Sequence, residues 1–222
     1  MVMRTALLVC GVLSTLLYLG MNVFVPMRWD SYSRALQPIS ELFAIGAPTR
    51  SVWVSLNVVY SLLVVAFGWG VRKTAQSNRR TRIAGTLLIV GGLLGLYIPP
   101  MHLRHEPFTL VDILHAAWSV ESLLMMPAVM GLAAAYFGRK FLVYTIATLA
   151  VWLVFGTLTS IDSLRLALHE PTSWIGVWER ITFGAYMLWL VVFDALLLRH
   201  RKAEARAISH ARAHDPALIT SA

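Results

Sequence analysis

Six runs of apolar residues, at 5–27, 51–71, 83–101, 113–137, 141–161 and 181–198, constrain this chain more than anything else in it. A helix needs about 20 apolar residues to cross a hydrocarbon core about 30 Å thick, and the runs are of that order. Lipid offers no partners to the main chain, so a spanning segment is a helix or a closed barrel. Barrel strands would alternate apolar and polar positions. Leu87-Leu88-Ile89-Val90 and Val151-Trp152-Leu153-Val154-Phe155 do not alternate, so helices are expected. The fold class is therefore all-α, an integral membrane bundle of six transmembrane helices. Residues 1–198 form the bundle and 199–222 a basic, flexible cytoplasmic tail.

Residues 5–27 exceed the apolar core of a signal peptide and carry no small-x-small cleavage site, so they read as a retained first helix. The chain's one cysteine, Cys10, can form neither an intrachain disulfide nor a cysteine metal site.

The formal charge of +8 invites comparison with nucleic-acid binders, but the positions of the charges argue otherwise. With a cytoplasmic N-terminus, thirteen of the nineteen Lys and Arg fall on that side. They are Arg4, Arg72, Lys73, Arg79, Arg80, Arg82, Arg139, Lys140, Arg199, Arg201, Lys202, Arg206 and Arg212. That bias marks the cytoplasmic face, so both termini are expected there, in the cytoplasmic (inner) membrane of a bacterium, with the protein multi-pass. Membrane lipids are the expected partners, a homo-oligomer is possible, and no aromatic-interleaved basic surface suggests nucleic acid.

The third run contains Gly91, Gly92 and Gly95, a small-residue face suited to close packing within the bundle. It ends at Pro99-Pro100. Thr109 stands three residues before Asp112, the spacing of a capping box.

Polar residues gather in the outer connections. Asp112, His115, Ser119 and Ser122 are spaced three, four and three apart, so they share one stripe of the fourth helix. Such a stripe belongs against the bundle interior or water. His102, at the end of the third helix, must lie near Asp112. Two imidazoles and a carboxylate can hold a divalent metal such as zinc, can act as acid and base without one, or can form a structural hydrogen-bond network. All three readings stand. Glu41 is a candidate base, and a pairing partner for Arg180 or for the fourth-helix site. Glu179 opens the last helix, where a carboxylate suits the positive end of the dipole. Arg180 suits a lipid phosphate or simple snorkelling. Glu121, about two and a half turns into the fourth helix, lies on a different face from His115 and is either a proton carrier or a neutral hydrogen-bonded acid. Asp194, one turn from Arg199, is expected to reach the interface. The candidate ligand-binding set is thus Ser40, Glu41, His102, Asp112, His115, Ser119, Glu179 and Arg180. His102, Asp112 and His115 are the candidate metal ligands, and the catalytic candidates are the same three with Glu41.

Three segments carry a resemblance. Gln37-Pro38-Ile39-Ser40-Glu41-Leu42-Phe43-Ala44-Ile45-Gly46-Ala47-Pro48-Thr49-Arg50 resembles the first signature of a bacterial six-helix membrane family known as domain-of-unknown-function family 998. Met101-His102-Leu103-Arg104 with Thr109, Asp112 and His115 is similar to its second, and Gly176-Val177-Trp178-Glu179-Arg180 to its third. The resemblance implies a six-helix bundle and singles out Ser40, Glu41, His102, Asp112, His115, Glu179 and Arg180, with no activity attached. The His, Asp and Ser pattern distantly resembles membrane hydrolases of the alkaline ceramidase group, although the paired His-x-x-x-His of that group is missing. Three functions follow as expectations. The first is lipid or small-ligand binding or sensing in a polar pocket at the extracytoplasmic end. The second is metal-dependent hydrolysis of a lipid. The third is proton-coupled transport through Glu121.

Overall fold

The computed structural model describes residues 2–75, 78–103, 109–168, 170–172 and 174–214. Of the segments singled out above, Arg104 and residues 215–222 of the tail lie outside them. Six helices follow one another: α1 (Val2–Phe24), α2 (Arg50–Thr74), α3 (Arg79–Leu94), α4 (Leu110–Ala133), α5 (Arg139–Ala167) and α6 (Ile175–His214). The described residues contain no strand, only an isolated bridge between Ile45 and His102. Among the described residues five helices are long and apolar enough to cross a membrane, and large apolar side chains such as Leu16, Leu62, Leu124, Leu153 and Leu188 face outward. In water that pattern would be a liability. Against lipid tails it is the expected outer surface of a multi-pass membrane protein.

The sixth helix, α3, is shorter than its apolar run. Its 16 residues span about 24 Å at 1.5 Å per residue, less than a hydrocarbon core. The helix stops at Leu94, where the chain tightens into i→i+3 bonds from Leu96 to Leu93 and from Tyr97 to Leu94. Pro99 then forces Ile98 out of helical geometry. Hydropathy alone could not see this, because Leu96, Tyr97 and Ile98 remain apolar after the ladder has ended.

The α2–α3 pair is closely packed. A Cβ built on Gly68 would lie 2.7 Å from the Gly85 carbonyl oxygen, one on Gly85 would lie 2.8 Å from the Gly68 oxygen, and one on Gly92 would lie 2.9 Å from the Ser61 oxygen. Backbone therefore meets backbone. Gly91 does not belong to this seam and instead faces the Met125 sulfur of α4. The glycines serve packing within the chain, and Gly68 and Gly85 extend the set read from the sequence.

An interior cluster joins all six helices through residues such as Leu8, Phe67, Leu88, Met130, Phe141, Trp189 and Phe193. Asp194 lies in it. It is fully buried and does not reach an interface as its spacing from Arg199 suggested. Its Oδ2 occupies the notch left by Gly11, 2.6 Å from where a Cβ would stand. Asp162 is also buried, with the Arg165 guanidinium 3.3 Å away. The turn between α4 and α5 is made by Gly138 at φ +82°, so Arg139 and Lys140 open α5 rather than form the turn. α6 continues past its apolar stretch to His214, so the basic segment begins as helix.

Because the helices alternate in direction, the ends of α1, α3 and α5 and the starts of α2, α4 and α6 gather at one end with residues 25–49. This end, the rim, holds the polar residues of interest.

A cavity beneath the rim

The first loop is held by its own polar groups and by α6. After a short 3₁₀ turn at Pro26–Arg28, Tyr32 donates its hydroxyl proton to the Pro38 carbonyl at 2.9 Å. Burial pushes the Tyr32 pKa up to about 12, which keeps that proton in place. A second 3₁₀ turn, Ile39–Phe43, is pinned to the start of α2. Thr49 Oγ1 donates to Leu42 O at 2.7 Å and Arg50 Nη1 to Phe43 O at 2.9 Å. Across 140 residues of sequence, Glu179 accepts the Ile39 N–H at 2.5 Å.

Arg180 has an architectural use. Nη1 donates to Arg34 O and Gly176 O, each at 2.9 Å, and Nη2 to the Tyr32 hydroxyl at 2.9 Å, with the guanidinium 5.7 Å from the Tyr32 ring centre. Its planar fork therefore grips loop oxygens where a lipid phosphate was one expectation. Gly176 lets the loop come this close: its N–H donates to Ala35 O at 3.0 Å, and a Cβ there would collide with Arg34 O and Gln37 O.

The capping box at the start of α4 is formed as the spacing predicted. Thr109 N–H and Oγ1 donate to Asp112 Oδ2 at 2.9 and 3.0 Å. The same carboxylate reaches back to the end of the preceding segment. His102 N–H donates to Oδ1 at 2.7 Å and its Nδ1 to Oδ2 at 2.9 Å. Ile45 N–H donates to Met101 O at 2.8 Å, so Asp112 indirectly anchors the first loop as well.

His115 stands apart from this pair. Its Nδ1 lies 2.7 Å from the Pro99 carbonyl, and its ring packs between Phe43 and Trp118. A carbonyl only accepts, so His115 Nδ1 carries a proton. Asp112 and His115 share a stripe, yet each takes its own partner on neighbouring backbone. Among the described residues no group of three His, Cys, Asp or Glu side chains is arranged to hold a metal.

These groups border one cavity of about 660 Å³, within the roughly 300–1,000 Å³ usual for small-molecule sites. Ser40, His102, Asp112, His115, Ser119 and Glu179 line it, all but Ser119 near its rim end. Glu41 and Arg180 are not among its lining residues. Glu41 is buried in the loop and accepts a hydrogen bond from Gln37 Nε2 at 2.6 Å. Deeper in, the walls are mostly apolar and aromatic, with Tyr18, Trp53, Tyr60, Phe183, Tyr186 and the methionines Met125, Met126 and Met187. Glu121 also lines the cavity, so the face that separates it from His115 on a helical wheel still looks into the same space, and its Oε1 is buried without a hydrogen-bond partner.

Asn57 and Ser61, one turn apart on α2, were not singled out from the sequence. Asn57 Nδ2 donates to Gly95 O at 2.7 Å, satisfying the carbonyl where α3 unwinds, and both residues line the cavity. Two polar residues at i and i+4 inside an apolar run were the available signal.

Residues 12–195 match the model of a family described as protein of unknown function (DUF998), and the chain belongs to that family. No curated protein and no solved structure matches it.

Proposed function

We propose that this member of a family of unknown function binds an amphiphile from the membrane, a lipid or a small ligand, with its polar group at the rim and its apolar part in the bundle interior. The observation that carries this reading is the cavity's polarity gradient. Ser40, His102, Asp112, His115 and Glu179 line its rim end, and below them aromatic and methionine side chains make up most of the wall, around a few polar groups such as Asn57, Ser61 and Glu121. Flexible methionines suit an apolar guest of variable shape. The bias of Lys and Arg toward the far end supports a rim on the extracytoplasmic side of a bacterial inner membrane, with both termini cytoplasmic. That topology requires the short α3, extended by residues 95–101, to serve as a sixth crossing.

The test is to purify the full chain in mild detergent and identify retained lipids by mass spectrometry. One class of amphiphile is expected above the background of an unrelated membrane protein. Ser119→Phe, which fills the cavity, should remove it while the melting temperature holds. Retention of nothing beyond background by the native chain overturns the reading.

Glu121 favours proton-coupled transport as a second reading, since a carboxyl group with one buried oxygen left without a hydrogen bond is costly within a membrane cavity. Uptake into liposomes that survives Glu121→Gln would remove it.

A further inference from the structure

The walls of the cavity are not equally closed. The α2–α3 side is sealed by backbone contact at Gly68, Gly85 and Gly92. The α3–α4 side is closed only by side chains. On its outer, lipid-facing surface runs a groove of about 440 Å³. Leu87, Val120, Glu121 and Met125 line both this groove and the cavity, so a single layer of side chains separates the two. Val120 is 56% exposed, and two of the other three are long, unbranched side chains. Met125 rests on Gly91, where nothing but hydrogen opposes it. Unbranched side chains change rotamer at little cost. The partition is also weakened from within α4. Pro127 has no N–H to give the carbonyl of Leu123, a cavity-lining residue on the same helix. Above Leu94 the α3 helix has ended, so the upper part of this seam lacks a helical wall.

We propose that the seam between α3 and α4 is a lateral portal, through which the acyl chain of a membrane amphiphile slides directly from the bilayer into the cavity, with Met125 and Glu121 as its movable leaves. The proposal rests on the amphiphile-binding reading above and adds the route and the source: the ligand arrives from the lipid phase, not from water at the rim. Its polar group travels along the interface to the rim while its tail passes between the helices, so no headgroup crosses the hydrocarbon core.

The portal is tested by blocking its outer lip. Ala117 and Ala128 line the groove but not the cavity. Full-length protein in liposomes is given a lysophospholipid with a diazirine in its acyl chain and irradiated at intervals. Labelling is read at Tyr186, a cavity-lining residue buried within the bundle. Ala117→Phe and Ala128→Phe should each slow the appearance of label by about tenfold, equivalent to roughly 1.4 kcal/mol of added barrier, at an unchanged plateau. Leu153→Phe on the outer face of α5 should label at the native rate. Native-rate labelling in both groove variants, with a native plateau, overturns the portal and leaves binding intact. Failure of the native protein to label Tyr186 at all overturns the binding reading itself.

Discussion

Adding one methyl group to Gly85 should loosen the protein, whereas the same change at Gly131 should tighten it. A helical Gly→Ala replacement gains about 1 kcal/mol of propensity wherever the new methyl fits. At Gly131 a Cβ would meet nothing within 4 Å, so the gain should appear almost in full. At Gly85 the methyl would stand 2.8 Å from Gly68 O and 2.9 Å from both the backbone nitrogen and Cγ of Arg72. Ordinary contact begins near 3.5 Å, so the helices must part by about 0.7 Å, enough to forfeit a quarter to a half of the dispersion attraction along the seam. Overpacking of this kind costs about 1–3 kcal/mol, which exceeds or cancels the propensity gain. The two variants should therefore differ by roughly 1–3 kcal/mol, or about 2–12 °C in melting temperature for a chain of this size. Thermal unfolding in one detergent, followed by tryptophan fluorescence, reads the difference. Adding Gly68→Ala to Gly85→Ala should cost less than it does alone, because the helices have already separated. Equal shifts for Gly85→Ala and Gly131→Ala would refute the claim that backbone contact closes this seam.

Three further outcomes are expected. Gly176→Ala should displace the first loop and cost about 1–3 kcal/mol, with faster proteolysis between residues 28 and 49 as the readout. Asp112→Ala strands the N–H groups of His102 and Thr109 at about 1–3 kcal/mol and should speed amide exchange at Ile45, two links away, more than at residues of α5. Tyr32 has a folded pKa near 12 against an ordinary value of about 10, so its contribution is complete below about pH 10 and is lost as pH rises through 12. Tyr32→Phe should be less stable at neutral pH and should lack that part of the alkaline loss.

Much of the rim was legible from spacing. The Thr109–Asp112 capping box and the nearness of His102 both follow from short-range geometry that helices impose. The helices themselves were legible because apolar runs of this length have few other uses. What was hidden depended on partners far away in sequence. His115 turns to Pro99 rather than Asp112 because α3 ends early and leaves that carbonyl unpaired, and hydropathy does not register where a ladder stops. Asp194 seemed bound for the interface until the absent side chain of Gly11 supplied a notch for it. Arg180 looked free for a phosphate because nothing local reveals that the Arg34 carbonyl and the Tyr32 hydroxyl converge on it from the first loop.

The clasp between the first loop and the last helix also sets an order of assembly. Residues 28–49 leave the ribosome well before the groups that hold them, Gly176, Glu179 and Arg180, are made. Until α6 enters the membrane the loop has no anchor at that side, and the chamber beneath it stays unroofed. A chain truncated before α6 would therefore lack this clasp and leave the cavity open at the rim.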